Sequence, residues 1–180
     1  MEQNEYIKEA REGNHEAIKK LVKMLEPVVA STVVGMLGQC PEAEDVGQET
    51  FIRLYHSLHK FKRESNIETY VTRIAINLSI NELKRRRRRN IIFGSHNEIQ
   101  NVGVDDYTIV QNEKKTAVQW ALNKLNAKHK SVIVLRLIDG YSVKETADIL
   151  NVPKGTVLSR LARAQNKLKE ILTPIMGARK

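Results

Sequence analysis

The chain of 180 residues carries 30 Lys and Arg against 21 Asp and Glu, a formal net charge of +9 with a pI near 9.7. That balance points to a polyanionic partner without separating DNA, RNA and membrane surface. A single cysteine, Cys40, excludes an intramolecular disulfide, no apolar run approaches membrane-spanning length, and the acidic start MEQNEYIKEA does not resemble a secretion signal, so a cytosolic protein is expected.

Helix formers dominate, Pro and Gly are few, and alternating β-branched strands are lacking, which predicts an all-α fold. Charge is distributed unevenly: residues 1–89 are net +3, residues 90–112 net −3 and residues 113–180 net +9. The middle stretch, NIIFGSHNEIQNVGVDDYTIVQN, lacks helical periodicity and holds two glycines and several turn formers. It reads as a flexible linker between two small helical domains, 1–89 and 113–180.

In chain order, Tyr6 to Arg11 is a short helix closed by Gly13. Asn14 caps the next, in which Ile18, Leu21, Val22 and Leu25 form a stripe; Pro27 is expected to kink or interrupt it before VVASTVVGML. Pro41 suits a first helical position, and Glu42, Glu44 and Asp45 follow where the helix dipole favours negative charge. That helix, PEAEDVGQETFIRLYHSLHKF, has Val46, Thr50, Phe51, Leu54 and Leu58 on one face, with Asp45, Gln48, Glu49 and Arg53 away from much of it. Composition alone leaves this polar face solvated. His56 and His59 share a helix face, but no second cluster supplies further ligands, so no metal site is expected.

A polar loop between Phe61 and Ile67 leads into IETYVTRIAINLSINELKRRRRR. Phe61 and Tyr70 flank the break; aromatics beside basic residues can stack on unpaired bases, and are otherwise core. The helix is apolar on two sides, through Val71, Ile74, Ala75 and Leu78 and through Ile76, Ile80 and Leu83, which makes it central to its module. Arg73 and Asn77 project from one side. It closes on Lys84, Arg85, Arg86, Arg87, Arg88 and Arg89, cations that complement the helix dipole and can contact phosphate, or simply form a solvated basic end.

The second module opens with Val118, Ala121, Leu122 and Leu125, and Trp120 beside them is most simply core. A helix through SVIVLRLI ends at Asp139-Gly140. Ser142 and Glu145 then make a capping box, Ala147 and Leu150 an apolar face, and Asn151-Val152-Pro153 a stop. A helix restarting near Gly155 carries Val157, Leu161, Ala164 and Leu168 inward, and Lys154, Ser159, Arg160, Arg163, Lys167 and Lys169 outward. Small Ala147 suits a steep helix crossing and Val152 can plug its corner. This is the pattern of a helix-turn-helix, whose second helix enters a DNA major groove, although an ordinary helical hairpin shares the apolar spacing.

Together, AEDVGQETFIRLY, Phe61 with ETYVTRIAINL and its basic helix end, and LRLIDGYSVKETADILNVPKGTVLSRLARAQNKL resemble a bacterial RNA polymerase sigma factor of the extracytoplasmic-function (ECF) group of the sigma-70 family. The resemblance covers almost the whole chain in the family's order, with regions 2 and 4 and no region 3 domain between. It implies a dissociable specificity subunit that directs promoter-specific transcription initiation for a stress or envelope regulon, with no catalytic chemistry, cofactor or small-molecule substrate of its own. By the same resemblance Asp45, Gln48, Glu49 and Phe51 contact core polymerase. Phe61, Arg63, Glu64, Ser65, Asn66, Ile67, Tyr70, Arg73 and Asn77 read the single-stranded −10 element, a flipped base sitting in the loop's pocket. Lys154, Gly155, Thr156, Ser159, Arg160 and Arg163 read the duplex −35 element, and Lys84, Arg85, Arg86 and Arg87 meet phosphate. An anti-sigma factor, in this group commonly membrane-bound, is an implied partner.

The sequence departs from the family at three points. Tyr70 stands where tryptophan is usual, Leu158 where a basic residue is common, and Ala162 where a large residue is frequent. The last two bear on which bases the −35 reader contacts. Two other classes fit parts of the sequence: a one-component helix-turn-helix regulator, which would bind DNA tightly without polymerase, and a basic RNA-binding protein, whose affinity would depend on salt rather than on sequence. No nucleophile–base constellation suggests an enzyme.

Overall fold

The computed structural model describes residues 2–61, 66–92 and 117–177, all helices and short turns with no strand among the described residues. Arg63, Glu64 and Ser65, and the linker reading beyond residue 92, lie outside them. The elements are α1 (Glu2–Arg11), α2 (His15–Leu37), α3 (Pro41–Ser57) with a 3₁₀ turn at Leu58–Lys60, and α4 (Ile67–Ile92). They continue with α5 over 117–123, α6 (Ala127–Ile133), a π turn at Val134–Ile138, α7 (Val143–Leu150) and α8 (Lys154–Gly177).

Local chemistry sets most of the boundaries. Gly13 turns the chain at φ +89° after α1, a left-handed value that suits glycine. The Asn14 side chain accepts from the backbone N–H groups of Glu16 and Ala17 and so starts α2. Pro27 does not interrupt that helix, contrary to the sequence expectation. The proline is exposed while Leu25 and Val29 on either side are fully buried, so packing holds the helix across the missing hydrogen bond.

The first core joins α1 to α4. Ile7, Leu21, Leu25, Val33, Val46, Leu54, Val71 and Ile76 are all buried in it, with α4 at the centre as its two apolar faces require. A second, smaller core holds Leu122, Leu125, Val132, Ile133, Ala147, Val157 and Ala164. Trp120 is only half-buried, with the Lys124 ammonium 5.3 Å from its ring centre.

The two modules are in contact, which their separation in sequence did not suggest. Val134, Leu135 and Ile149 from the second module complete the first module's core. Gly35 of α2 allows this approach: a Cβ built there would lie 2.9 Å from Val134 Cγ1, closer than real side chains come. The predicted helix through SVIVLRLI keeps its helical sense but widens to a π turn, with Asp139 N–H donating to the Val134 carbonyl five residues back. Leu137 and Ile138 are consequently exposed, while Val134 and Leu135 point into the core.

Lys130 is 1 % exposed, its Nζ donating to Asn123 Oδ1 at 2.7 Å. Burial, with the Arg86 guanidinium as a second influence, lowers its pKa from 10.5 to about 8. Below pH 8 the ammonium is charged in both folded and unfolded chains, so its desolvation penalty is fully present. Between about 8 and 10.5 the folded chain releases the proton first, and stability rises with pH. Lys130→Met should therefore stabilise the protein at pH 7 by about 1–3 kcal/mol, several degrees in melting temperature. The gain should shrink as thermal melts are taken toward pH 10; a destabilised variant at pH 7 would contradict the assignment.

Candidate nucleic-acid and protein interface

Three exposed surfaces gather the residues singled out in the sequence. The first is α3. Pro41 opens it, Asp45 and Gln48 are exposed, Glu49 pairs with Arg53 at 2.7 Å, and Phe51 is half-buried against the core. Ile52 and Tyr55, each 51 % exposed, continue the Asp45–Gln48 face at helical spacing. These apolar side chains were passed over in the sequence. The signal was there, because they lie off the Val46–Thr50–Leu54–Leu58 stripe that must face inward. Beside them, Val22, Glu26, Gly47, Gln48 and Phe51 line a shallow groove between α2 and α3. An acidic and amide rim around exposed apolar side chains suits a protein partner.

The second surface is the start of α4. Phe61 and Ile67 are buried, and the Phe61 ring packs against Tyr70 with centroids 5.2 Å apart and planes at 54°. In this conformation neither Phe61 nor Ile67 faces solvent; they fix where α4 begins. Asn66 is exposed, and its side-chain oxygen caps α4 by accepting from Glu68 N–H at 3.1 Å. Tyr70 is half-buried, while Arg73 and Asn77 are exposed on one side as their four-residue spacing predicts. Arg73 Nη2 donates to the Asp148 carbonyl of α7 at 2.8 Å.

Farther along α4 the basic run divides. Glu82 is 7 % exposed and takes Arg85 at 2.6 Å, Arg86 at 3.3 Å and Arg89 at 3.4 Å. Arg86 also reaches Glu42 at 3.2 Å, the Cys40 sulfur at 3.0 Å and the last carbonyl of α2, on Leu37, at 3.4 Å. It is thus a structural arginine tying α2, α3 and α4 together, where the sequence suggested phosphate contact. Glu42 sits below its usual pKa, held by its own backbone N–H and then by Arg86. Lys84, Arg87 and Arg88 are exposed and make no ion pair among the described residues.

The third surface is the helix-turn-helix. Ser142 accepts from Glu145 N–H at 3.2 Å while the Glu145 carboxylate takes Ser142 N–H at 2.8 Å, the capping box read from the sequence. Asn151 turns the corner in the left-handed region at φ 51°, and Val152 N–H bonds back to the Ala147 carbonyl at 3.0 Å. Ala147, Val157 and Ala164 are buried at the crossing. Outward, Lys154, Gly155, Ser159 and Arg163 are exposed, and Thr156 and Arg160 half-buried. Leu158 is 53 % exposed on the same helix, so it is available to a partner rather than to the core. A Cβ at Gly155 would meet nothing within 4 Å, so the fold itself does not require glycine there.

Electrostatics mark this face as positive. Burial, then Arg163 and Arg160, lower the pKa of His129. No group of three His, Cys, Asp or Glu could hold a metal ion among the described residues. No helix among them is long and apolar enough to cross a membrane.

The chain matches two family models: Sigma-70 region 2 over residues 21–89 and Sigma-70 region 4 over residues 121–170. It is 31 % identical over 176 residues to the ECF RNA polymerase sigma factor SigW of Bacillus subtilis, covering 92 % of this chain and 94 % of that protein. It is 26 % identical over 181 residues to the RNA polymerase sigma-H factor of Pseudomonas aeruginosa, covering 94 % and 93 %. Among solved structures, CnrH in complex with the cytosolic domain of CnrY superposes with a TM-score of 0.73 at 24 % identity, covering 97 % of this chain and 99 % of that one. RpoE of Bartonella quintana, in complex with the anti-sigma factor NepR, gives 0.68 at 24 % identity, covering 86 % and 96 %.

Proposed function

The chain belongs to the extracytoplasmic-function group of sigma-70 RNA polymerase sigma factors, and we propose that its two modules divide promoter recognition between α4 and α8. It binds core RNA polymerase and directs promoter-specific transcription initiation. On this reading Asp45, Gln48, Glu49 and Phe51 dock on core polymerase, and Ile52 and Tyr55 extend that contact into its apolar centre. Tyr70, Arg73 and Asn77, with the loop from Phe61 to Ile67, hold the opened −10 strand, whose binding offsets the cost of unpairing. Lys154, Gly155, Thr156, Ser159, Arg160 and Arg163 read the −35 duplex, Ser159, Arg160 and Arg163 toward base edges. Lys84, Arg85 and Arg87 supply phosphate contact at the end of α4, and Arg86 contributes mainly by holding that end in place.

The observation that carries this division is the outward basic face of α8 in a helix-turn-helix whose first helix is capped at both ends, beside a second exposed polar face on α4. No catalytic step falls to the chain, and its place of work is the cytoplasm. Group membership extends the reading to an anti-sigma factor, commonly membrane-bound in this group. Reconstitution with core polymerase and transcription from a pooled genomic library should yield start sites sharing two upstream motifs. Sequence-specific duplex binding without polymerase, and no transcription with it, would favour the one-component regulator instead.

The docking face has its own test. Asp45→Ala with Gln48→Ala should reduce association with core polymerase by about tenfold, one desolvated polar contact's worth. Both side chains are exposed, so the melting temperature should stay within about a degree of the parent. Normal recovery of the variant with core polymerase would refute the assignment.

A further inference from the structure

Leu158 is 53 % exposed on α8 and belongs to neither hydrophobic core, so the fold makes little use of its side chain. Lys154 stands one turn before it, also exposed. Gly155, Ser159 and Ala162 run alongside as a line of small, exposed residues four and three apart, and exposed Arg163 follows on the other side. A surface leucine taken singly needs no explanation. This one lies on the face that, on the reading above, meets base edges, with cations on both sides of it.

Small side chains along that line let the helix backbone come close to a groove floor. A Cβ at Gly155 would meet nothing within 4 Å, so the room that this glycine leaves is room outside the fold. Base edges in the major groove are otherwise polar. Their donors and acceptors lose water when a protein covers them and need hydrogen bonds in return, which leucine cannot give. The exception is the C5 methyl of thymine, an apolar group on that edge. An arginine can span the gap from a more distant helix, whereas a leucine touches the edge only where its neighbours are as small as these.

We infer that Leu158 selects a thymine in the −35 element by packing on its C5 methyl, while Gly155, Ser159 and Ala162 bring α8 close enough for the contact. The inference rests on the proposed −35 reading of α8 and names one base of its target. The cations on either side favour a duplex over the apolar patch of a protein as the occupant, because phosphates would pair with Lys154 and Arg163.

Deoxyuridine in place of thymine removes that methyl and keeps every hydrogen-bonding group of the base pair. Holoenzyme reconstituted with the full-length chain should be tested on a promoter recovered from the pooled transcription, with each −35 thymine of either strand replaced in turn. At one position uracil should weaken promoter binding about three- to fivefold, the worth of one buried methyl group. Leu158→Ala should lose about the same factor on the thymine promoter and then be indifferent to uracil at that position. The side chain is exposed, so the variant's melting temperature should match the parent's. Tolerance of uracil by the parent at every position would overturn the inference, as would a −35 element that requires no thymine. A loss in Leu158→Ala that is equal on thymine and uracil promoters would also overturn it and would assign the leucine to a protein contact. A parent holoenzyme that does not distinguish an intact −35 element from a scrambled one would instead sink the −35 reading of α8 itself.

Discussion

Alanine at both Arg160 and Arg163 should abolish −35-dependent promoter choice while leaving the −10 response in place. Both lie on the outward side of α8, one half-buried and one exposed. A base-directed bidentate contact is worth about 1–3 kcal/mol, so losing two corresponds to roughly a hundredfold or more in upstream-element discrimination. Transcription from templates with intact and scrambled −35 elements measures this directly. The parent should separate the two templates strongly and the double variant hardly at all. Equal discrimination by parent and variant would move the reading to Ser159, Leu158 and Lys154. Because neither arginine makes an ion pair among the described residues, thermal stability should be unchanged.

Arg86→Ala should markedly destabilise the fold of the first module. It removes four contacts at once, to Glu82, Glu42, Cys40 and the Leu37 carbonyl, and leaves Glu82 buried with two arginines instead of three. Breaking a buried ion pair costs about 3–5 kcal/mol; since Arg85 and Arg89 remain, about 2–3 kcal/mol is expected, some 5–10 °C in melting temperature. Arg86→Lys should recover little, because one ammonium cannot span a carboxylate pair, a sulfur and a carbonyl as the guanidinium fork does. Glu42, whose folded pKa is lowered, contributes stability above its ordinary value of 4.5, lost as pH falls through the folded value. The parent should therefore lose stability toward acid more steeply than Glu42→Gln.

The helices were legible because their signals are local. Asn14, Ser142 with Glu145, and Asn151 each set a boundary through hydrogen bonds within a few residues, and Pro41 sets one through its fixed φ at the first helical position. The exposed faces of α3 and α8 followed from spacing alone. What spacing could not carry was long-range. Pro27 reads as a break, but Leu25 and Val29 buried on either side keep α2 continuous. Arg86 looks like its neighbours in a run of six cations, and only the positions of Glu42, Cys40 and Leu37 make it structural. Phe61, which the sequence left open between base stacking and the core, is buried here together with Ile67, and both support Tyr70 and the start of α4. Contact between the modules depends on Gly35, whose meaning appears only once Val134 lies against it.

The π turn at Val134–Ile138 amounts to one residue more than an α-helix would use to reach Asp139. At about 100° of rotation per helical residue, that extra residue sets the azimuth at which the chain leaves α6. Deleting any one residue from the turn would restore an even helical ladder and swing Asp139 and Tyr141 about a quarter-turn from Thr32 and Thr72. Relatives with and without this insertion would differ in how the helix-turn-helix is aimed while keeping its sequence and its internal packing.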